Sequence, residues 1–580
     1  MRRLLIPFTV SLFVSLSLFI NVYAQPQTVY EKSGRTKTAT YYEIISFYQQ
    51  LDKLSSKLLL KTMGPSDAGV PLHLALYSND GKFDPAQWRA QGKIILFIIN
   101  GIHPGEPDGI DASMMMLRDL ITNKRSLPNN VVLAVIPVYN IGGCLNRSPN
   151  YRVDQNGPEE FGSRGNSQNL DLNRDFIKND SKEARSFAEI FHWLDPDIMI
   201  DNHVSNGADY QHVITLLTTQ HNKLGGAAGR YLKQQMEPAL YSLMREKKLD
   251  LVPYVNAFVD TPESGWPQFY DGPRYSSGYG ALWQCFSFIT ETHMLKPYTQ
   301  RVDATYAFME SMISFTTSSA DSIKAIRKAA RAEVLNQPTF SFRWKSDRSQ
   351  FSTITFKGFE AGRKPSVISG AQRLYYDRSK PFTKEIRFYD TYVAQLELNR
   401  PKAYIIPQGW WRVTDLLRIN KVEMRRFTSD TTLNVETYRI TSYKSSPQPW
   451  EMHHLNSAVE VTKTNSVVTF RKGDWYVPMN QPAARFLAEV LEPQSDDSYF
   501  AWNFFDGILG QKEGYSPYVF EETAAVYLSE HPELQTALEE KRKSDSSFAK
   551  SGSAQLNFIY EKSKYMEPDY MKYPVYRVVN

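Results

Sequence analysis

Chemistry in this chain starts at residues 100–109, NGIHPGEPDG, where His103 and Glu106 stand three apart directly behind the apolar run KIILFIIN (93–100). Side chains of these types at that spacing can share one metal ion. The Pro and Gly around them argue against a mid-helix placement. A catalytic zinc site keeps three protein ligands and leaves one position open for water or substrate. The third candidate is His203 in IMIDNHVSNG, 100 residues further on. A histidine taken alone is more often a hydrogen-bonded residue of the surface or core, so the pattern depends on its company. Between the two halves lies GNSQNLDLNRDF (165–176), which carries Asp171, Asn173 and Arg174; after them CFSFITETHM brings Glu291 to the end of an apolar run.

Positioning these groups needs strand ends. From Thr38 to about residue 330, apolar runs (KIILFIIN, NVVLAVIPVYN, PDIMIDNH) alternate with stretches of helical spacing (TATYYEIISFYQQLDKLSS, GIDASMMMLRDLITNK, SKEARSFAEIFHWL). That alternation predicts an α/β domain with a mixed, largely parallel twisted sheet flanked by helices. Ligands of such sheets bind beyond the carboxyl ends of the strands, where His103 and His203 fall. KPYTQRVDATYAFMESMISFTTSSADSIKAIRKAARAEV predicts one or two helices closing this domain. Beyond about residue 335 shorter alternating strands mix with short helices, which predicts a β-richer α+β region. The expected division is 1–24 as a signal segment, 25–335 as the catalytic domain and 336–580 as an accessory region.

The order of these blocks resembles the zinc carboxypeptidase family, which includes pancreatic carboxypeptidase A. The family's H-x-x-E pair, D-x-N-R block, distant His and late Glu stand here as HPGE, DLNR, DNH and FSFITETH. PVYNIGG (137–143) is similar to the family's Asn-Pro-Asp-Gly segment, with Ile141 and Gly142 in place of Pro and Asp. The resemblance covers roughly residues 40–330. It implies a carboxypeptidase-like fold and one zinc ion held by His103, Glu106 and His203. It also implies that Asp171 orients the first ligating histidine, that Asn173 and Arg174 grip the substrate's terminal carboxylate, and that Glu291 is the base. An arginine that steadies the oxyanion is expected at Arg147 in CLNRSPN, with Arg152 and Arg164 in the same loop as alternatives. A substrate-capping tyrosine is expected at Tyr275, with Tyr279 as the alternative. The long C-terminal extension is similar to that of exported bacterial members of the family.

The remaining composition bounds partners and compartment. Arg2 and Arg3, the uncharged stretch Leu4–Ile20 and the small residue Ala24 read as a cleavable export signal, an uncleaved anchor being the alternative. The expected location is therefore periplasmic or extracellular, with no membrane-spanning segment after the signal. A formal charge of +5, falling to +3 without Arg2 and Arg3, is too weak to argue for a nucleic-acid partner, and no basic cluster does so; none is expected. Two cysteines, Cys144 and Cys285, are too few for a disulfide framework, and their pairing stays open. Aromatic segments near the C-terminus, GDWYVPMNQPAARFLAEVLEP and SDDSYFAWNFFDGIL, suit bracing of the catalytic domain or recognition of a glycan or partner.

These readings converge on a secreted metallocarboxypeptidase acting on peptides or peptide-like substrates. A cell-wall peptidase or an aspartoacylase-like N-deacylase are alternatives on the same fold. A binding module with an inactive zinc site is the alternative of another class. Side-chain specificity is not legible at this level.

Overall fold

The computed structural model describes residues 25–258 and 260–579. The expected signal segment, 1–24, lies outside the described residues. A seven-stranded sheet organises the first half. Its strands in chain order are β1 (Leu58–Pro65), β2 (Pro71–Tyr77), β3 (Ile94–Ile99), β4 (Val131–Ile136), β5 (Ile198–Ser205), β6 (Ile214–Thr218) and β7 (Phe286–His293). In space they run β1-β2-β4-β3-β5-β7-β6. The pairs β4/β3, β3/β5 and β5/β7 are parallel, while β1/β2, β2/β4 and β7/β6 are antiparallel. The mixed sheet flanked by helices is the expected architecture.

The central strands form where the sequence reads as unbroken apolar runs. Every residue of β3 (IILFII) and β4 (VVLAVI) is buried, as strands covered on both faces require. Covering helices include α1 (Tyr41–Leu54), α2 (Asp108–Ile121), α3 (Lys182–Leu194) and α4 (Tyr298–Asn336). The stretch expected to form one or two helices is a single helix of 39 residues. Near its start Arg301 donates to Asp108 Oδ2 (3.0 Å), at the first turn of α2. Further along, Arg327 donates to Asp197 Oδ1 (2.6 Å), just before β5. Among the described residues no helix is long and apolar enough to cross a membrane.

Beyond α4 the chain is strand-rich. A long ribbon pairs β8 (Ser352–Pro365) with β9 (Gln372–Tyr389). A second pairs β10 (Thr431–Ser445) with β11 (Asn456–Phe470), at the edge of a six-stranded sheet. The main core runs on into this region: Trp283 stacks on Phe486 with ring centroids 5.3 Å apart. The helices at Pro517–Lys562 carry a small core of their own. Cys144 and Cys285 are both buried free thiols.

Candidate active site

At the carboxyl end of β3 the chain turns through Asn100–Pro107 into α2. Asn100 Nδ2 donates to Ser113 Oγ (3.0 Å) and Ile136 O (3.2 Å), which ties the turn to α2 and to the end of β4. Glu106 N donates to His103 O (2.8 Å), a tight turn that sets both side chains on one side. The first turn of α2 presses so closely on β5 that a Cβ on Gly109 would lie 2.4 Å from Asn202 Cβ. A larger residue there would push α2, and the ligand turn with it, off the sheet. Across the sheet His203 and Glu291 are direct register partners on parallel strands β5 and β7.

The three expected ligands converge. Glu106 Oε2 lies 3.1 Å from His203 Nδ1 and 3.4 Å from His103 Nδ1. One candidate ligand atom from each residue lies within 4.8 Å of the others, and all three residues are buried. The outward nitrogens face carboxylates. His103 Nε2 is hydrogen-bonded with Asp171 Oδ1 (2.8 Å), and His203 Nε2 makes a 3.0 Å ion-pair approach to Asp201 Oδ2. At His103 this bond selects the tautomer and aims Nδ1 inward, whereas His203 Nε2 faces Asp201 without a hydrogen bond. Glu106 is itself fixed by Arg152, which donates to Oε1 (2.7 Å), and by Val204 N, which donates to Oε2 (2.9 Å).

The residues present fit a divalent cation. His103 Nδ1 is buried with no hydrogen-bond partner, a costly state for a polar atom unless something else fills that position. Burial alone would lower the His203 imidazole, yet Asp201, Glu106 and Glu291 raise it well above its ordinary value. The cluster therefore calls for positive charge at its centre. Two imidazoles and a carboxylate with an open side are the donor set of a catalytic zinc.

Arg152, Arg164, Asn173, Arg174, Tyr275 and Glu291 share one cavity of about 500 Å³ with the ligands. Burial pushes the Glu291 carboxyl up to about 8, with Glu106 and Asp201 adding to the rise and His203 and Arg164 opposing it. A dication beside it would pull it back toward the carboxylate form. Burial would raise Asp171 as well, but His103, Arg164 and Arg174 hold it well below the usual carboxylate range. Arg174 donates to Asn173 O (2.8 Å) and lies over the Tyr275 ring, 4.6 Å from its centroid. The cavity's apolar walls include Leu217, Phe269 and Ile289, and Glu106 and Glu291 are its acids among the described lining residues.

Arg147 is not brought to this cavity. It forms a two-residue antiparallel pairing, Arg147–Ser148 with Phe161–Gly162, and its side chain reaches Glu160 Oε2 (3.2 Å) and Ala39 O (3.4 Å). That pairing folds the loop back on itself, so that Arg152 and Arg164, and not Arg147, arrive beside His103 and Glu106. Arg164 Nε donates to Asp171 Oδ2 (3.0 Å), and its side chain stays about half exposed to the cavity. Asn140 Nδ2 donates to Arg164 O (2.9 Å) and Ile102 O (3.3 Å), tying this arginine's backbone to the ligand turn. Tyr279 is fully buried and donates to Asn420 Oδ1 (2.6 Å), away from the cavity. Asp201 was not singled out in the sequence. Its signal is the D-x-H spacing on β5, which places both side chains on one face of the strand.

No family model matches the chain. Carboxypeptidase 2 of Trichophyton equinum is 22% identical over 431 residues, 70% of this chain and 73% of that protein. Probable carboxypeptidase 2 of Arthroderma benhamiae is 20% identical over 426 residues, 70% of this chain and 74% of its own length. Among solved structures, carboxypeptidase A from Helicoverpa armigera superposes with a TM-score of 0.39 at 15% identity, covering 50% of this chain and 75% of that one. A metallo-carboxypeptidase from Burkholderia cenocepacia gives 0.36 at 13%, covering 48% and 70%. The likeness to these carboxypeptidases extends over about 70% of the chain, and it supports a zinc carboxypeptidase family.

Proposed function

We propose that the protein is an exported, zinc-dependent metallocarboxypeptidase that removes the C-terminal residue of peptides. The observation that carries this reading is the convergence of His103, Glu106 and His203 beside Glu291, Asn173 and Arg174 in one cavity. His103, Glu106 and His203 are the residues that would hold the ion. A bound zinc would supply Lewis-acid polarisation of the scissile carbonyl and lower the pKa of water.

The chain's own residues do the rest. Asn173 and Arg174 bind the free carboxylate, and the Tyr275 ring under Arg174 keeps the guanidinium flat and aimed. Arg164, in place of Arg147, donates to the developing oxyanion. Glu291 takes a proton from the attacking water and passes it to the leaving nitrogen. Arg152 stays committed to Glu106 and fixes that ligand. Leu217, Phe269 and Ile289 favour an apolar or aromatic C-terminal side chain, because among the described lining residues a buried cation would find no acid beyond Glu106 and Glu291.

The test is mass spectrometry of a mixed peptide library incubated with the mature protein, with and without a chelator. Stepwise loss of C-terminal residues, apolar ones first, that stops on chelation is the expected result. An intact library from zinc-loaded protein would overturn peptide hydrolysis and direct the search to cell-wall peptides or small N-acyl substrates.

A further inference from the structure

The turn that joins β10 to β11 (446–455) leaves its own region and lies across the DLNRDF loop. Two contacts fasten it there. Asp171 N donates to Glu451 Oε2 (2.9 Å), and the His453 imidazole is hydrogen-bonded with Asp180 Oδ2 (2.8 Å). Asp180 in turn accepts from Lys178 Nζ (2.6 Å), which also donates to Asp175 Oδ1 (2.8 Å). The loop between these anchors bears Asp171, Asn173 and Arg174. Trp450 stacks on Trp502 at 5.7 Å, which seats the base of the turn.

The backbone of this turn is unusual for its residues. Trp450 and His453 exchange two backbone hydrogen bonds, of 2.8 and 3.0 Å, around the central pair Glu451 and Met452. Both central residues have positive φ, 50° and 69°. Tight turns with positive φ at both central positions favour Asn-Gly, because longer side chains are strained there. Strain of this kind persists where surrounding contacts over-determine it, and it clusters at functional sites. Here the first central position is the one whose carboxylate reaches Asp171. An asparagine in its place would satisfy the turn and fall short of that contact.

We propose that Glu451 is a positioning residue of the active site: through Asp171 N it holds the carboxylate that orients His103 and the loop that presents Asn173 and Arg174. On this reading, which rests on the proposed function, the C-terminal region completes the catalytic centre.

Three variants test it: Glu451→Ala, Glu451→Gln, and Glu451→Asn combined with Met452→Gly. Zn2+ affinity is read by competition with a chelating dye, kinetics on a C-terminal peptide substrate, and backbone hydrogen exchange at Asp171 in the metal-free protein. Glu451→Ala is expected to weaken zinc binding by about tenfold, the lower end for loss of a partner behind a ligand, to raise KM more than it lowers kcat, and to speed exchange at Asp171. Glu451→Gln keeps an acceptor oxygen and should restore most of all three. The Asn-Gly variant relieves the turn, so its melting temperature should match or exceed the parent's while zinc affinity falls as in Glu451→Ala. A merely structural turn would not move those two readouts in opposite directions. Zinc affinity, KM and Asp171 exchange all within twofold of the parent in Glu451→Ala would overturn the proposal. A parent that binds no zinc and cleaves nothing would instead remove the proposed function, and with it the catalytic part of this inference; exchange at Asp171 would still decide whether Glu451 clamps the loop.

Discussion

The cavity around His103 and the seam around Tyr279 both bury histidine, asparagine and tyrosine side chains, yet they dispose of their polar atoms differently. In the seam Tyr279 OH donates to Asn420 Oδ1 (2.6 Å) and is hydrogen-bonded with His192 Nε2 (3.1 Å). Asn420 Nδ2 donates to Asn179 Oδ1 (3.0 Å) and Leu416 O (2.9 Å). Burial lowers the His192 imidazole to about 4, so it sits there neutral. In the cavity His103 Nδ1, His203 Nε2 and Asn173 Oδ1 have no hydrogen-bond partner, and carboxylates crowd around the histidines. A closed network of buried polar groups rigidifies a fold, whereas an open one raises its energy until a ligand completes it. The seam joins two regions; the cavity waits for a guest.

The contrast can be broken or sharpened by substitution. The largest effect is expected for Glu291→Gln, which on the proposed reading removes a general base and not a ligand and should lower kcat by about a thousandfold while zinc binding persists. Next comes Arg164→Ala, with an expected loss of about a hundredfold in kcat, as for removal of one oxyanion donor. Arg147→Ala should leave kcat within about twofold; the reverse ranking would return the role to Arg147. Asp171→Asn should weaken zinc by about tenfold to a hundredfold in a competition assay, since it alters the partner behind His103, a proposed ligand. In the seam Tyr279→Phe strands the buried Asn420 acceptor, at a cost of about 1–3 kcal/mol in unfolding free energy, with zinc affinity unchanged. A change in zinc affinity there would show that the two clusters are coupled.

The smallest effect concerns acid. The folded-state pKa of His192 is depressed from 6.5 to about 4, so between those values the unfolded chain binds the extra proton. Its contribution to stability is complete above the ordinary imidazole range and is lost as pH falls toward about 4. Melting curves across that window should therefore slope more steeply for the parent than for His192→Gln.

Much of the site was legible because strand-end residues keep their place. His203 and Glu291 close apolar runs that become adjacent parallel strands, and HPGE follows a third, so position along the chain translates directly into position at the sheet edge. Arg147 lies outside the cavity because the loop 147–164 reverses through a two-residue pairing, so that nearness to the preceding blocks along the chain is not nearness in space. Glu451 had no local sign at all. Its partner Asp171 lies 280 residues away, and its turn carries none of the Gly or Asn that a positive φ usually advertises. The continuous α4 was only half visible, since nothing within its polar middle distinguishes one helix from two.

That helix has a bearing on how the chain can change over generations. At 1.5 Å per residue its 39 residues make a rod about 58 Å long, with Arg301 locked to the ligand-bearing end of the sheet and the strand-rich region beginning where it stops. Each residue added or removed would twist the far end by about 100°, because a turn takes 3.6 residues. The two halves are thus geared together. Lengthening a surface loop costs this protein little, but altering the rod by a single residue would swing the turn bearing Glu451 out of phase with the loop it grips.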